Sequence, residues 1–312
     1  MSRIVVIGSI NMDLVNHVAE FPKPGETVHG RGVEFLPGGK GANQAVAASL
    51  AGGGVEMIGA VGRDSFAQPL LDSLRERGVG TDGVLAKDGT SGLAFITVSD
   101  AGENEIILSE GSNGQVSPED VREEWLAGAS AIILQNEIPW VANVHAMRLA
   151  RKAGAKVIYN PAPVRPIPAE AYPLIDLLVV NETEAEGLSG IPVADAADAR
   201  RAAAELIARG ASGVLVTLGS KGSFYAEAGA DGLFTPARKV RAVDTTAAGD
   251  TFIGAFAAAI AEGKPPAEAL AFATAASSIT VTRKGAQASI PRREEIEAVM
   301  ATAAKAEKEP RA

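Results

Sequence analysis

The stretch of the sequence with the clearest chemical potential is Val243–Phe252, which reads Val-Asp-Thr-Thr-Ala-Ala-Gly-Asp-Thr-Phe. Apolar residues recur at helical spacing after it and Gly263 ends the pattern, so a helix is predicted to begin at Asp250. Small residues before a helix let backbone N–H groups approach a ligand, and the first helical turn adds unpaired donors. An anion such as a phosphate is the typical ligand of such a turn. Asp250 therefore either acts chemically on that ligand or only caps the helix, and the stretch alone leaves both interpretations open.

A second glycine-rich stretch, Gly38–Gln44, opens an Ala-rich helix that is predicted to run to about Ala51. It is not a Walker loop, because no Ser or Thr follows Lys40 and the glycine spacing differs. A structural helix entry requires fewer glycines than this stretch contains. The composition therefore favours a ligand that approaches the backbone, with Lys40 and Asn43 facing it.

Asn11 and Asp13 follow the first predicted strand, Arg3–Gly8. In an extended segment their side chains point to the same side, since side chains alternate with a period of two. An amide and a carboxylate on one face suit the hydroxyl groups of a sugar. The alternative is an ordinary turn, where Asn and Asp are common.

Polar residues also stand at the predicted carboxyl ends of three successive strands. These groups are Gln135–Glu137, Asn160–Pro163 and Asn181–Glu184. Ligands of parallel sheets bind beyond the carboxyl ends of the strands. Polar residues at successive ends therefore predict a lined cleft.

Two later loops carry weaker signals. Thr217–Gly222 combines two glycines with a lysine, which suits a nucleotide contact or, alternatively, a plain hairpin turn. Thr280–Ser289 offers hydroxyl and carbonyl oxygens, the ligands that hard cations prefer, although a simple surface loop would look the same.

The elements that must position these groups alternate between strand and helix. Strands are predicted at 3–8, 55–62, 131–134, 156–159, 177–180 and 213–218, and helices at about 65–77, from Ser117 onward, 140–153, 182–189 and 194–209. Such alternation predicts a mostly parallel sheet with right-handed crossovers. Residues 14–37 are rich in Pro and Gly, and 93–99 and 105–109 flank a hairpin turn. We predict that these segments form a small separate sheet over a sugar site.

Composition limits the class of protein. The chain has 312 residues, of which 46% are hydrophobic and only 4% aromatic, so its core is expected to consist of Ala, Val, Ile and Leu. The net charge of −9, without a long basic run, argues against a nucleic acid or an anionic membrane as partner. The absence of cysteine excludes disulfides, thiolate zinc sites and a cysteine nucleophile, and the three histidines fit no metal motif. Neither a signal peptide nor an apolar run of membrane-spanning length is present, so a cytoplasmic location is expected.

Taken together, these motifs resemble those of a known family. The chain resembles the PfkB-type (ribokinase-like) carbohydrate kinases in order and over nearly all of residues 3–299. The Asp244–Phe252 motif marks the wider family. The combination of Asn11-x-Asp13 and Gly38–Gln44 with Gln135–Glu137 and Arg283–Gln287 narrows the resemblance to the ribokinases within it. The fold that this implies is α/β and ribokinase-like, with a mostly parallel central sheet, helices on both faces and a small β-sheet lid.

The resemblance implies ATP-dependent phosphorylation of D-ribose to D-ribose 5-phosphate, activated by potassium. Asp250 would be the general base, and the backbone of residues 247–250 would be the anion hole. The ribose would be held by Asn11, Asp13, Gly39, Lys40, Gly41, Ala42, Asn43, Glu137 and Asp250. ATP would be held by Asn181, Thr217, Leu218, Gly219, Ser220, Lys221, Gly222, Gly249, Asp250 and Thr274. Mg²⁺ would arrive with ATP, and K⁺ would be bound by Asp244, Thr246, Thr280, Arg283, Gly285 and Ser289, several of them through carbonyls.

The resemblance also implies the domain organisation. Residues 1–303 would form a single carbohydrate kinase domain with lid insertions at about 14–37 and 91–110, and the charged tail 304–312 is expected to be disordered. The lid would pair two subunits in a homodimer. One departure is Thr274, where many ribokinases carry Asn or His near the adenine.

Three rival interpretations remain. One alternative is a different acceptor, namely deoxyribose, fructose or a nucleoside, although the scarcity of aromatic residues near the lid argues weakly against a nucleoside pocket. A silent sugar-binding or regulatory protein on the same scaffold is a second class, against which the intact Asp250 and its glycine loop argue. A dinucleotide-binding oxidoreductase is a third, but no Gly-x-Gly-x-x-Gly follows the first strand.

Overall fold

The computed structural model of the protein describes the backbone of residues 3–308 and the side chains of residues 3–302. Its strands are β1 (Arg3–Ile7), β2 (Asn11–Val18), β3 (Val33–Gly38), β4 (Gly54–Gly62), β5 (Val79–Lys87), β6 (Gly92–Ser99), β7 (Asn104–Ser109), β8 (Ala129–Gln135), β9 (Lys156–Asn160), β10 (Leu177–Val180), β11 (Gly213–Thr217), β12 (Gly222–Glu227) and β13 (Leu233–Pro236). Its helices are α1 (Lys40–Leu50), α2 (Ala67–Glu76), α3 (Glu123–Leu126), α4 (Trp140–Ala153), α5 (Glu182–Ser189), α6 (Ala196–Ala208), α7 (Ala248–Ala261), α8 (Pro266–Thr280) and α9 (Arg293–Lys308). No helix within the described residues combines the length and apolar character needed to cross a membrane.

Nine strands form the central sheet, in the order β13-β12-β11-β10-β9-β8-β1-β4-β5. All neighbours from β5 to β11 pair in parallel, while β12 and β13 pair antiparallel at one edge. This confirms the predicted mostly parallel sheet. Because the strands run parallel, their carboxyl ends gather the polar residues that follow β8, β9, β10 and β11 along one edge.

Helices cover both faces of this sheet, as predicted. Alternate residues of β1 enter opposite cores: Ile4 and Val6 belong to the core that includes residues of α1, α7 and α8, whereas Val5 and Ile7 belong to the core that includes residues of α4, α5 and α6. A strand buried on both faces reads as a continuous apolar run, which is why β1 has no polar alternation. The two cores are built mainly from Ala, Val, Ile and Leu.

The four remaining strands form the small separate sheet, in the order β3-β2-β6-β7. The predicted hairpin is confirmed as β6 and β7, which pair antiparallel around 100–103. β2 begins at Asn11, separated from the end of β1 by three residues, so the extended interpretation of Asn11 and Asp13 is confirmed. The small sheet therefore starts at the edge of the large one where ligands are expected.

The structure corrects one predicted helix. Ser117 opens only a 3-10 turn, Pro118–Asp120, and the single turn of α3 follows after Arg122. Capping residues mark where a helix can begin but not how far it runs. Here Asp120 accepts a hydrogen bond from the Ser117 N–H (2.9 Å) and pairs with Lys87 (2.6 Å), which ties the turn to β5.

β5, β12 and β13 were not predicted as strands, although the hairpin-turn interpretation of Thr217–Gly222 is confirmed, since β11 and β12 pair antiparallel around it. The apolar run of β5 is broken by Gly80-Thr81-Asp82-Gly83. It forms a strand nonetheless because it completes the sheet beside β4. At the other end of the chain, α9 is described to Lys308; residues 309–312 lie outside the described part, and the disorder of the tail 304–312 stays a prediction.

Candidate active site

Asp250 lies in the first turn of α7 and is buried against α1. Its Oδ1 accepts a hydrogen bond from Gln44 Nε2 (2.9 Å), and its Oδ2 accepts one from Asn43 Nδ2 (3.1 Å). The helix begins at Ala248, two residues before the predicted start, and its N-cap is Ala247 without a side-chain cap. Asp250 therefore does not cap α7, and the capping interpretation is wrong.

Close packing of small residues brings these two helices together. A Cβ atom at Gly254 of α7 would lie 2.5 Å from the Ala47 Cβ and 2.6 Å from the Gln44 carbonyl oxygen of α1. Real Cβ atoms do not approach that closely, so only glycine permits this separation. The consequence is that short side chains from α1 can reach a carboxylate on α7.

The start of β2 supplies the predicted sugar-facing pair. Asn11 and Asp13 are both buried, and the Asp13 carboxylate lies over Gly38, where a Cβ would be 2.1 Å from its Oδ2. Asn113 fixes the amide of Asn11 by donating from Nδ2 to Asn11 Oδ1 (2.7 Å), while its own Oδ1 accepts from the Ile10 N–H (2.9 Å). Since the Asn11 oxygen is taken, its NH₂ group is the end left for a ligand.

Glu137, directly after β8, is tied to the start of α1. Its Oε2 accepts hydrogen bonds from Ser9 Oγ (2.5 Å) and from the Lys40 N–H (3.1 Å). Ser9 also binds the first turn of α1, because the Gly41 N–H donates to its Oγ (3.2 Å) and the Ala42 N–H donates to its carbonyl oxygen (2.9 Å). The glycine-rich start of α1, including Gly39 at a φ of 90°, thus rests directly on the ends of β1 and β8.

Like charges crowd this pocket. Burial, together with the negative charges of Glu137 and Asp250, raises the pKa of Asp13 to about 7. Burial lowers the pKa of Lys40, but the carboxylates of Asp250, Glu137 and Glu184 outweigh it, and the net shift is upward. The pocket therefore contains one firmly charged cation among several acids, an arrangement typical of functional sites.

Two adjoining cavities lead to Asp250 from the other side. The larger, of about 570 Å³, is lined by Asn181, Glu182, Thr217, Gly219, Ser220, Gly222, Ala237, Arg238, Lys239, Val240, Ala242, Thr245, Ala248, Gly249, Phe252, Thr274, Ser277, Ser278 and Val281. The smaller, of about 250 Å³, is also lined by Asn181, Thr217 and Gly249 and extends to Lys40, Glu184 and Asp250. A long ligand can therefore lie with one end in the larger cavity and the other beside Asp250.

Most residues predicted to hold ATP line these cavities, and two do not. The side chain of Leu218 is buried in the core beneath the loop. Lys221 instead directs its ammonium group to the Ala194 carbonyl oxygen, at 2.5 Å. Thr274 lines the larger cavity, so a contact with a base in that cavity is open to it. The segment 237–242 also lines this cavity, and no sequence motif pointed to it.

Backbone N–H groups face the smaller cavity at the start of α7. Ala247 adopts the left-handed conformation (φ 58°) and is the one non-glycine residue between 3 and 308 with a positive φ. The Ala248 N–H donates to the Thr245 carbonyl oxygen (3.2 Å). For the N–H groups of Gly249 and Asp250, the described residues offer no backbone acceptor. These free donors at a helix start suit an anion.

The loops predicted to bind a cation meet behind this turn. Asp244 Oδ1 accepts from the N–H and the hydroxyl of Thr246 (2.9 and 2.7 Å), and its Oδ2 accepts from the Gly285 N–H (2.9 Å). Burial opposes the charge of Asp244, but these hydrogen bonds outweigh it and lower the pKa of the carboxyl. An ionised carboxylate beside backbone carbonyl groups offers oxygen ligands of the kind that hard cations prefer. The guanidinium of Arg283, which pairs with Glu295, is itself a cation without an acceptor atom, so only the carbonyl oxygen of Arg283 could serve as a ligand.

The remaining two of the predicted cation ligands differ in their surroundings. Thr280 is fully buried, and its hydroxyl donates to Thr251 Oγ1 (3.1 Å) on α7. The hydroxyl of Ser289 donates to the Ala286 carbonyl oxygen (2.7 Å). The structure thus brings Asp244, Thr246 and Gly285 into direct contact and leaves Thr280 and Ser289 bonded to other groups.

Sequence reasoning missed three polar residues that support the site: Ser9, Gln44 and Asn113. Gln44 directly follows Asn43 in the glycine-rich motif, and its type alone was a signal, since a glutamine in an Ala-rich apolar helix must be paired when buried. Asn113 carries no local signal, because it lies in a 3-10 turn far along the chain. Only the fold shows which partners these residues have.

Comparisons with known proteins identify the family to which this chain is similar. The family model of the pfkB family carbohydrate kinases matches residues 1–293. A ribokinase from Haemophilus influenzae is 42% identical over 295 residues, covering 94% of this chain and 96% of that protein. A deoxyribokinase from Salmonella typhi is 37% identical over 292 residues, covering 92% and 95%. The structure of Arabidopsis thaliana ribokinase complexed with ribose and ATP matches with a TM-score of 0.91 and 35% identity, covering 96% of this chain and 99% of that one. With a family match over nearly its whole length, the chain belongs to the pfkB family of carbohydrate kinases.

Proposed function

We propose that the protein transfers the γ-phosphoryl group of ATP to the 5-hydroxyl of D-ribose. The observation that carries this proposal is the position of Asp250, a buried carboxylate between the pocket of Asn11 and Asp13 and the cavity that continues past Gly249. The similar ribokinase complexed with ribose and ATP supports the choice of both substrates.

In this proposal the sugar binds among Asn11, Asp13, Asn43 and Glu137. Asn43 supports it directly: Nδ2 is bonded to Asp250, while Oδ1 is buried without a hydrogen-bond partner. An unpaired buried oxygen is costly, and a sugar hydroxyl would satisfy it. The free NH₂ of Asn11 would donate to a sugar oxygen, and the carboxylate of Asp13 would accept from a sugar hydroxyl.

Phosphoryl transfer depends on alignment and on neutralising charge. Asp250 takes the proton of the attacking hydroxyl, and the N–H groups of Gly249 and Asp250 bind the oxygens of the transferring group. Lys40, which also lines the smaller cavity, attracts the phosphate charge. Glu184, which lines the same cavity, would hold Mg²⁺ or its bound water, and the ion would supply neutralising charge to the phosphates of bound ATP.

The first test is Asp250→Asn. Ribose and ATP binding should persist, since the amide keeps the shape of the side chain, whereas kcat should fall by roughly 10²-fold or more because the base is lost. Steady-state kinetics and calorimetric titration of both ligands measure this. Turnover close to that of the unchanged protein would remove Asp250 from the role of base.

The acceptor is tested with a panel of pentoses, hexoses and nucleosides in a coupled assay of ATP consumption. We expect the highest kcat/KM for ribose. The similar deoxyribokinase makes 2-deoxyribose the critical comparison. A higher kcat/KM for 2-deoxyribose would change the proposed acceptor, and no turnover of any compound would favour a silent binding protein.

We also propose that K⁺ binds at Asp244 and the neighbouring carbonyls and stiffens the turn that carries the anion hole. Replacing K⁺ by Na⁺ should lower kcat several-fold in the unchanged protein, because the smaller ion fits the same oxygens less well. Asp244→Asn should remove most of this difference. Equal rates in the two salts would contradict the cation site.

The enzyme is proposed to act in the cytoplasm.

The small sheet is proposed to pair two copies of the chain in a homodimer. The support for the dimer is a row of apolar side chains across all four strands, formed by Phe35, Leu14, Phe95 and Ile107. Of these, Phe35, Phe95 and Ile107 are 55%, 44% and 70% exposed. Exposed apolar rows of this kind are typical of protein interfaces.

A further inference from the structure

Every polar atom of the Gln44 side chain is used, although the residue is fully buried. Its Nε2 donates to Asp250 Oδ1 (2.9 Å) and to Asn160 Oδ1 (3.2 Å). Its Oε1 accepts from Gln135 Nε2 (2.7 Å). With both hydrogens and the oxygen engaged, the carboxamide has one orientation in which all bonds form.

The partners of Gln44 fix that orientation. If the carboxamide were rotated by 180°, its oxygen would face the Asp250 carboxylate, and its NH₂ group would face the NH₂ group of Gln135. Asn160 is itself anchored, because its Nδ2 donates to the Val179 carbonyl oxygen (3.0 Å) in β10. The network thus connects the ends of β8, β9 and β10 to one oxygen of Asp250.

We propose that Gln44 is a positioning residue that holds the Asp250 carboxylate in the orientation required to accept the proton of the sugar hydroxyl. This inference rests on the proposed role of Asp250 as general base. Gln44 does not itself line either cavity and so has no expected contact with ATP. It acts only through Asp250, from the side opposite the substrates.

Loss of the Gln44 donor would leave Asp250 with two competing attractions. One is Asn43, which the sugar also needs. The other is the positive charge of Lys40, which interacts with Asp250. A carboxylate drawn toward Lys40 is turned away from the hydroxyl, and small misplacements of a catalytic group cost as much as 10²-fold in rate.

The test is a double-mutant cycle on kcat. Gln44→Met keeps the length of the side chain without hydrogen bonds, and Gln44→Glu keeps its shape while replacing the donor by an acceptor. In the unchanged background we expect both to lower kcat about 10- to 100-fold, with the KM values for ribose and ATP changed less than about threefold. In the Asp250→Asn background neither should lower kcat further, because the group that Gln44 positions is gone.

Two further variants complete the test, one as a second probe of the network and one as a control. Gln135→Met removes the donor that orients Gln44 and should lower kcat in the same direction by a smaller factor, even if Gln44→Met does not fold. Ser49→Ala removes a hydrogen bond from the same helix, Ser49 Oγ to the Arg77 carbonyl oxygen (2.8 Å), at the end remote from Asp250. It should leave kcat unchanged. Thermal unfolding of every variant reports whether the fold is intact.

The outcomes separate the two proposals. If Asp250→Asn retains normal turnover, Asp250 is not the base, and the proposed function fails at that point. If Asp250→Asn loses turnover but Gln44→Met and Gln135→Met do not, only the positioning role is overturned. A Gln44 effect that persists fully in the Asp250→Asn background would also overturn it, since that effect would be one on general structure.

Discussion

Three carboxyl groups, those of Asp13, Glu137 and Asp250, share one small pocket, and burial together with the charges of the other two raises the pKa of Asp13. Its pKa is about 7 in the folded protein against 3.8 when unperturbed. Between these values the folded chain holds a proton that the unfolded chain has released. Folding stability therefore falls as pH rises from about 4 to about 7 and stays lower above that range. Residues at ligand sites often lower the stability of the folded protein because function requires them there.

This leads to a prediction for Asp13→Asn in the absence of sugar. At pH 8 the variant should be more stable than the unchanged protein, by at most about 4 kcal/mol, because no charge is buried. The difference should shrink as pH falls toward 4, where Asp13 is neutral. Urea unfolding at several pH values measures it, and the KM for ribose should rise. Asp88→Asn is the matched control, since the side chain of Asp88 is 97% exposed and its stability difference should not follow this pattern.

At the scale of elements, the site depends on how closely α1 and α7 pack. Their contact carries Asn43 and Gln44 on one helix and Asp250 on the other, and Gly254 sets the distance between them. Alanine normally stabilises a helix relative to glycine by about 1 kcal/mol. At Gly254 an added Cβ would clash with backbone atoms of α1, so here alanine is expected to destabilise the protein.

We expect Gly254→Ala to destabilise the protein by about 1–3 kcal/mol, as overpacking does, and to lower kcat because Gln44 and Asp250 separate. Denaturant unfolding and steady-state kinetics measure the two effects. Gly187→Ala in α5 is the control: its nearest neighbour would be Val164 Cγ2 at 3.5 Å, an ordinary contact, so it should stabilise slightly and leave kcat unchanged. An equal stability change at both positions would contradict the packing argument.

At the scale of the whole molecule, the small sheet has two functions in our proposal. It contributes Asn11 and Asp13 to the active site, and its apolar row forms the interface with a second copy of the chain. Phe95→Glu places a charge in that row. If the row is the dimer interface, sedimentation equilibrium should show the unchanged protein as a dimer and the variant as a monomer. Val141→Glu is the control, because Val141 is 60% exposed on α4 and outside the small sheet. Equal masses for all three proteins would contradict this interface.

Much of the architecture was determined by the sequence itself, because its signals are local. Apolar runs that end in polar residues mark parallel strands. From this pattern, Glu137 and Asn181 were correctly predicted to follow the carboxyl ends of β8 and β10. Small residues, among them Gly39 before α1 and Gly249 in the first turn of α7, marked where these two helices start. The antiparallel edge strands β12 and β13 and the broken strand β5 escaped prediction, because neighbouring strands rather than local periodicity make them strands.

Only the tertiary structure decided how these pieces act together. Gln44 and Asp250 are 206 residues apart in sequence, and no spacing rule relates them. Packing of α1 on α7 brings these two residues together, and burial among other acids raises the pKa of Asp13. The fold also directs the Lys221 side chain to the Ala194 carbonyl oxygen instead of the cavity where ATP was predicted to bind. Sequence motifs specify which chemical groups are present and which element carries each one. Their distances, partners and charges arise from contacts between remote segments, and those exist only in the folded chain.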